Sequence, residues 1–127
     1  MHHSRLCGFV IDCQDADIDA AARFWSTVLG RPVNPPNEGF DTYRNLKTDP
    51  PEPMMILQRV DHPSRVHLDI ESDDLEAEAA RLEKLGAKRI GFVRHWIVME
   101  APTGHRFCIV NPQRGAKLTD DNSNRWE

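Results

Sequence analysis

The segment Phe9-Val-Ile-Asp-Cys-Gln-Asp-Ala-Asp17 returns later as Val66-His-Leu-Asp-Ile-Glu-Ser-Asp-Asp74. Each copy begins as a β-rich run and leads into an amphipathic stretch that ends in Leu-Gly, at Leu29-Gly30 and Leu85-Gly86. The offset is 57 for the strands and 56 for the Leu-Gly ends, a slip of one residue. A chain of 127 residues has room for one domain. An internal duplication on that scale predicts a single α+β domain of two similar modules.

Periodicity assigns the elements. Leu6 to Cys13 reads as a strand. Ile18, Ala21, Ala22, Trp25, Val28 and Leu29 form one apolar helical face, so Asp15 to Gly30 reads as a helix. Asp15 or Asp17 caps its start, and Gly30 suits a left-handed end cap. Arg31 to Val33 is a short strand candidate, Asn34 to Glu38 a turn-rich break, and Gly39 to Leu46 and Met54 to Val60 are further strands. In the second half Arg65 to Ile70 is a strand and Asp73 to Leu85 a helix. There Asp73 and Glu76 form a capping box and Gly86 closes the end. Lys88 to Phe92, His95 to Glu100 and Arg106 to Val110 complete the second module as strands. From Gln113 onward the chain is polar and reads as a loosely attached tail, outside a domain of residues 1–112.

Composition excludes several functions. The net charge of −4 argues against a nucleic-acid backbone binder. No apolar run approaches the ~20 residues of a membrane span, and Leu6 to Ile11 is too short for a signal-peptide core. Three cysteines without a C-x-x-C pair point to a reducing, cytoplasmic setting. There is no phosphate-binding glycine loop, nucleophile elbow or H-E-x-x-H motif. His2 and His3 suggest no role, and the acidic run from Glu71 to Glu78 reads as a solvated helix start.

Three passages resemble the vicinal oxygen chelate superfamily, which includes glyoxalase I, the bleomycin-resistance proteins and the extradiol dioxygenases. Ala22-Arg-Phe-Trp25 through Leu29-Gly30 resembles its first helix. Val66-His67-Leu68-Asp69 resembles the strand opening its second module. Ala101-Pro-Thr-Gly-His-Arg-Phe-Cys108 resembles its final hairpin, with Ala101 where Asp is usual. The likeness covers roughly residues 5 to 112 and is nearest to the glyoxalase-like branch. It implies two tandem βαβββ modules forming a half-open barrel, a homodimer, and a groove that holds a small molecule.

The resemblance also implies a divalent metal, bound by His or Gln, Glu, His and Glu from the opening and closing strands of both modules. His67 matches one position. Strand alternation puts His67 and Asp69 on the groove face and Val66, Leu68 and Ile70 against the helix. The repeat carries this to Gly8, Val10 and Asp12, so Val10 stands where a second ligand would be. Gln58 and Cys108 occupy the other two positions, where the family has Glu, and Arg106 and Val110 share the face of Cys108. The set lacks the carboxylates that hold a hard cation. The expectation is therefore no cofactor, although a zinc site from His67, Cys108 and Asp12 or Asp69 can be drawn.

Candidate ligand-binding residues are Asp12, Gln58, His67, Asp69, Trp96, Arg106 and Cys108. Asp12 and Asp69 either orient His67, cap loops, or bind a cationic or hydroxylated ligand. Trp96 adds apolar bulk, while Cys108 reads as a small buried hydrophobe rather than a nucleophile. The expected function is small-molecule binding without a catalytic metal. The alternative is a metal-dependent lyase, isomerase or dioxygenase, with His67 the only catalytic candidate.

Overall fold

A computed structural model describes residues 1–36, 41–49, 51–115 and 117–127. The described elements are β1 (His2–Gln14), α1 (Ile18–Leu29), β2 (Tyr43–Leu46), β3 (Met54–Val60), β4 (Arg65–Ser72), α2 (Leu75–Lys84), β5 (Lys88–Val93), β6 (Trp96–Glu100), β7 (Arg106–Val110) and β8 (Asn124–Trp126). This is the α+β composition read from the duplication. The chain divides into two compact units, Gly8–His67 and Met1–Cys7 with Leu68–Glu127.

In the unit Gly8–His67 the strand order is β2–β3–β1. β1 runs parallel to β3, with Gly8 opposite Met54 and Asp12 opposite Gln58, and β2 pairs antiparallel with β3. Cys13, Ile18, Leu46 and Leu57 form the core, with Ile11, Ala21, Trp25 and Met55 packed around them. Ile11 and Cys13 therefore face α1, and alternation turns Val10 and Asp12 to the other side. The same parity turns Ile56, Gln58, Tyr43 and Asn45 away from the helix, while Arg44 reaches Asp19 on α1 at 2.8 Å. Asp17 caps α1 by accepting from the amides of Asp19 and Ala20, and Gly30 closes it at φ 66°. Among the described residues Arg31 to Val33 forms a single bridge, Val33 to Leu46. Of the strand expected from Gly39, residues 39 and 40 lie outside the described residues, as do Asn37 and Glu38 of the turn.

In the other unit the order is β1–β4–β7–β6–β5, and β8 lies against the start of β1. β4 is parallel to β7, with Asp69 opposite Cys108. The two modules thus share one plan: the opening strand lies parallel to the closing strand, and the matched aspartates Asp12 and Asp69 hold equivalent register positions. Ala79, Ile97, Met99 and Ile109 form this core, with Leu75, Leu82, Ala87 and Phe107 around it.

Several expectations need correction. Asp74, not Asp73, caps α2, accepting from Ala77; Asp73 is engaged by His3 instead. Val66 and Leu68 are 57% and 40% exposed rather than packed on the helix, because α2 lies over β5, β6 and β7. Glu71 and Glu78 are not solvated; both are fully buried among cationic partners. The polar tail is not loose: β8 pairs with His2 to Ser4, and Leu118 is buried.

Candidate functional site

Within Gly8–His67 the face turned away from α1 carries a polar cluster. Asp12 is 2% exposed, and its Oδ2 lies 2.8 Å from Nδ1 of His67. A carboxylate can only accept here, so the ring donates its Nδ1–H and Nε2 becomes the basic nitrogen of the neutral ring. Arg65, two residues before His67 on β4, brings its Nε to 3.7 Å from the same Oδ2. The other oxygen, Oδ1, is buried and has no hydrogen-bond partner among the described residues. Gln58, opposite Asp12, donates its side-chain amide to the Tyr43 hydroxyl at 2.8 Å. The structure thus brings His67 onto Asp12 and sets Gln58 beside Asp12 in register. It adds Tyr43 and Arg65, which sequence reasoning did not select. The signal for Arg65 was present, since it shares the parity of His67 and Asp69.

Asp12 has a further consequence. Burial, and then the Asp12 charge, push the Cys13 thiol above its usual range. That cysteine packs in the α1 core and is no nucleophile.

In the second unit, Cys108 is half-buried and pairs in register with Asp69 and with Val98. Arg106 lies on the same face but is tied to Glu100 at 3.1 Å. Trp96 alternates with the core residues Ile97 and Met99, so it points away from α2 together with Val98 and Cys108. Sequence reasoning missed the buried ionic group of this unit. Glu71 receives bonds from Arg5 and from the Gln113 amide. Burial pushes this carboxyl up, but bonds from Arg5, Gln113 and Cys7 outweigh it and hold Glu71 below the usual carboxylate range. Burial, reinforced by Glu71, raises the Cys7 thiol far above its ordinary value.

The fit to a superfamily metal is tested by the donors present. Val10, at the position matching His67, is a buried hydrocarbon. Gln58 uses its amide on Tyr43, and Cys108 stands where a carboxylate is implied. His67 and Asp69 alternate along β4 and Cys108 pairs with Asp69, so the remaining donors are one imidazole, one carboxylate and one thiol. That set does not match the histidine-and-glutamate set that the resemblance implies.

Comparison with known proteins agrees with this architecture. A glyoxalase-like domain profile matches residues 8–110. No curated protein sequence matches the chain. Among solved structures, a variant methylmalonyl-CoA epimerase from Streptomyces coelicolor, in complex with 2-nitronate-propionyl-CoA, is 19% identical. The match covers 84% of this chain and 96% of that one at a TM-score of 0.60. An extradiol ring-cleaving dioxygenase from B. fuscum is 16% identical over 89% of this chain but only 34% of its own, at a TM-score of 0.57. A glyoxalase/bleomycin resistance protein/dioxygenase superfamily member from Vibrio splendidus 12B01 is 19% identical over 84% of this chain and 98% of its own, at 0.53. At such identities the structural likeness is one of fold. With its repeated strand–helix plan and a profile match over most of its length, the chain belongs to the glyoxalase-like domain family of the vicinal oxygen chelate superfamily.

Proposed function

We propose that this domain binds a small cationic or hydroxylated molecule through the polar cluster of Asp12, His67, Gln58 and Tyr43, without the divalent metal of its superfamily. The observation that carries the reading is Asp12. A buried carboxylate with one oxygen committed to an imidazole and the other unpartnered among the described residues is costly unless a donor completes it. A ligand ammonium or hydroxyl supplies such a donor. Asp69, Trp96, Arg106 and Cys108 remain proposed ligand-binding residues of the other unit, taken by itself. The three free cysteines support a reducing, cytoplasmic setting, and the superfamily resemblance supports a homodimer.

A second reading is favoured by the same bond. Imidazoles that bind metals commonly give their other N–H to a carboxylate, as His67 does to Asp12. It makes the chain a metal-dependent lyase, isomerase or dioxygenase. Elemental analysis of protein purified without chelators separates the two. The binding reading expects a metal-to-chain ratio near zero and no rise in unfolding temperature with Zn²⁺, Mn²⁺ or Fe²⁺. It also expects stabilisation by some amine or polyol in a small-molecule panel, lost in His67→Ala. About one tightly held ion per chain overturns it and establishes the second reading.

A further inference from the structure

We propose that His3 is a proton-operated latch that fastens the segment 117–126 to strand β1. The ring lies between two carboxylates. Its Nδ1 is 2.9 Å from Oδ2 of Asp73, at the entry to α2, and its Nε2 is 2.7 Å from Oδ1 of Asp120 in the C-terminal segment. A carboxylate only accepts, so both bonds exist together only when both ring nitrogens carry protons. The latched state is the imidazolium. The raised pKa of His3, caused first by the bond to Asp120 and then by that to Asp73, agrees with this geometry.

The asymmetry of the two partners decides where the latch opens. Asp73 is also held by the His3 backbone amide at 2.7 Å, so it stays in place when the ring loses a proton. Asp120 is 59% exposed at its side chain, and among the described residues its second partner is Arg125, at 3.4 Å. A neutral ring that donates to Asp73 turns a lone pair toward Asp120. The bond that fails is the one to the C-terminal segment.

The other charged groups packed around the ring leave this direction unchanged. On β1, His2 bonds Glu78 and Arg5 bonds Glu71. On α2, Arg81 also bonds Glu78. On β8, Arg125 stands opposite His3 in register and binds Asp120 and Glu127. His3 has a folded pKa above its ordinary 6.5. Its contribution is therefore complete below that value and is lost as pH rises through the folded one.

Amide hydrogen exchange of the full chain at about pH 6 and about pH 8.5, corrected for the intrinsic rate, reads the latch across its titration. Opening of the segment 117–126 is expected to increase roughly tenfold at the higher pH, the order expected when a charge-assisted hydrogen bond is lost. Protection of the α1 core should not follow. Asp120→Asn loosens the segment at both pH values and removes the step, whereas Arg125→Gln keeps it. By NMR the His3 ring should titrate above 6.5 in the native chain and at a lower pH in Asp120→Asn. Equal exchange at both pH values, a step that survives in Asp120→Asn, or a His3 midpoint at or below 6.5 overturns the proposal.

Discussion

Glu78 illustrates how much a single side chain can hold together. It is fully buried, and it receives Arg81 at 2.8 and 2.9 Å and His2 at 2.8 Å. Truncation to alanine leaves the Arg81 guanidinium without its counter-charge, and Glu78→Ala should cost about 3 kcal/mol in denaturant unfolding. Its pH signature has a defined sign. Burial raises the carboxyl, but Arg81, His2 and Ser4 together bring it below the usual range. Stability from a depressed carboxyl is present above its unfolded value and is lost as pH falls through the folded one. Acid titration should therefore flatten in the mutant below about pH 4.5. None of this was legible in the sequence, where the acidic run looked like a solvated helix start. The partners of Glu71 and Glu78 include His2 and Arg5, more than sixty residues away, and local pattern carries no information about such pairings. Gly8 is a second residue whose meaning appears only in three dimensions. A Cβ there would lie 2.6 Å from the carbonyl oxygen of Met54, because β1 and β3 meet closely at that pair. Gly8→Ala should destabilise by about 2 kcal/mol, as overpacking against backbone does. A melting temperature equal to wild type would refute the close approach.

At the level of elements, period and parity were the legible quantities. The three-to-four spacing placed α1, and the two-residue alternation placed Asp12 on the face of β1 turned away from α1. Alternation succeeds because a strand has only two faces, and the packed residues Ile11 and Cys13 fix which is which. Helix ends were less legible. Asp73 and Asp74 are adjacent and chemically identical, so sequence cannot tell which one turns its carboxylate onto the helix amides. The choice is made by His3, which takes Asp73 and leaves Asp74 to cap. The two substitutions should therefore differ. Asp74→Ala should cost about 1 kcal/mol, in the range of a lost helix cap, with no dependence on pH between about 6 and 8.5. Asp73→Ala should instead lower the titration midpoint of His3, since one of the two bonds that raise it is gone. NMR of the His3 ring in both variants checks the pair. An unchanged midpoint in Asp73→Ala would contradict the assignment.

On the scale of the whole chain, the question is where the folded unit ends. The family profile ends at residue 110, and the polar stretch from Gln113 carries no periodic pattern. Both facts invite a boundary near residue 112. Packing argues otherwise. Leu118 is buried, and the Trp126 indole donates to Ser4 at 2.8 Å while Arg81 stacks on its ring at 3.7 Å. Arg5 reaches the carbonyl of Asn122, and Arg114 reaches that of Leu6. His2, His3 and Ser4 are buried, and β8 is their register partner. The first residues and the last belong to one unit together with Leu68 onward, so removing the tail strips the cover from β1 as well. Burying Leu118 alone is worth about 2 kcal/mol. The Trp126–Arg81 contact adds on the order of 1 kcal/mol. At roughly 3–4 °C per kcal/mol for a domain of this size, a chain ended at residue 112 should melt about 10 °C below the full one. The loss should appear as faster amide exchange in β1 near His3 and in α2 near Glu78, while the Ile18 and Leu57 core of the other unit keeps its protection. Equal melting temperatures for the two chains would mean that residues 113–127 are an appendage after all.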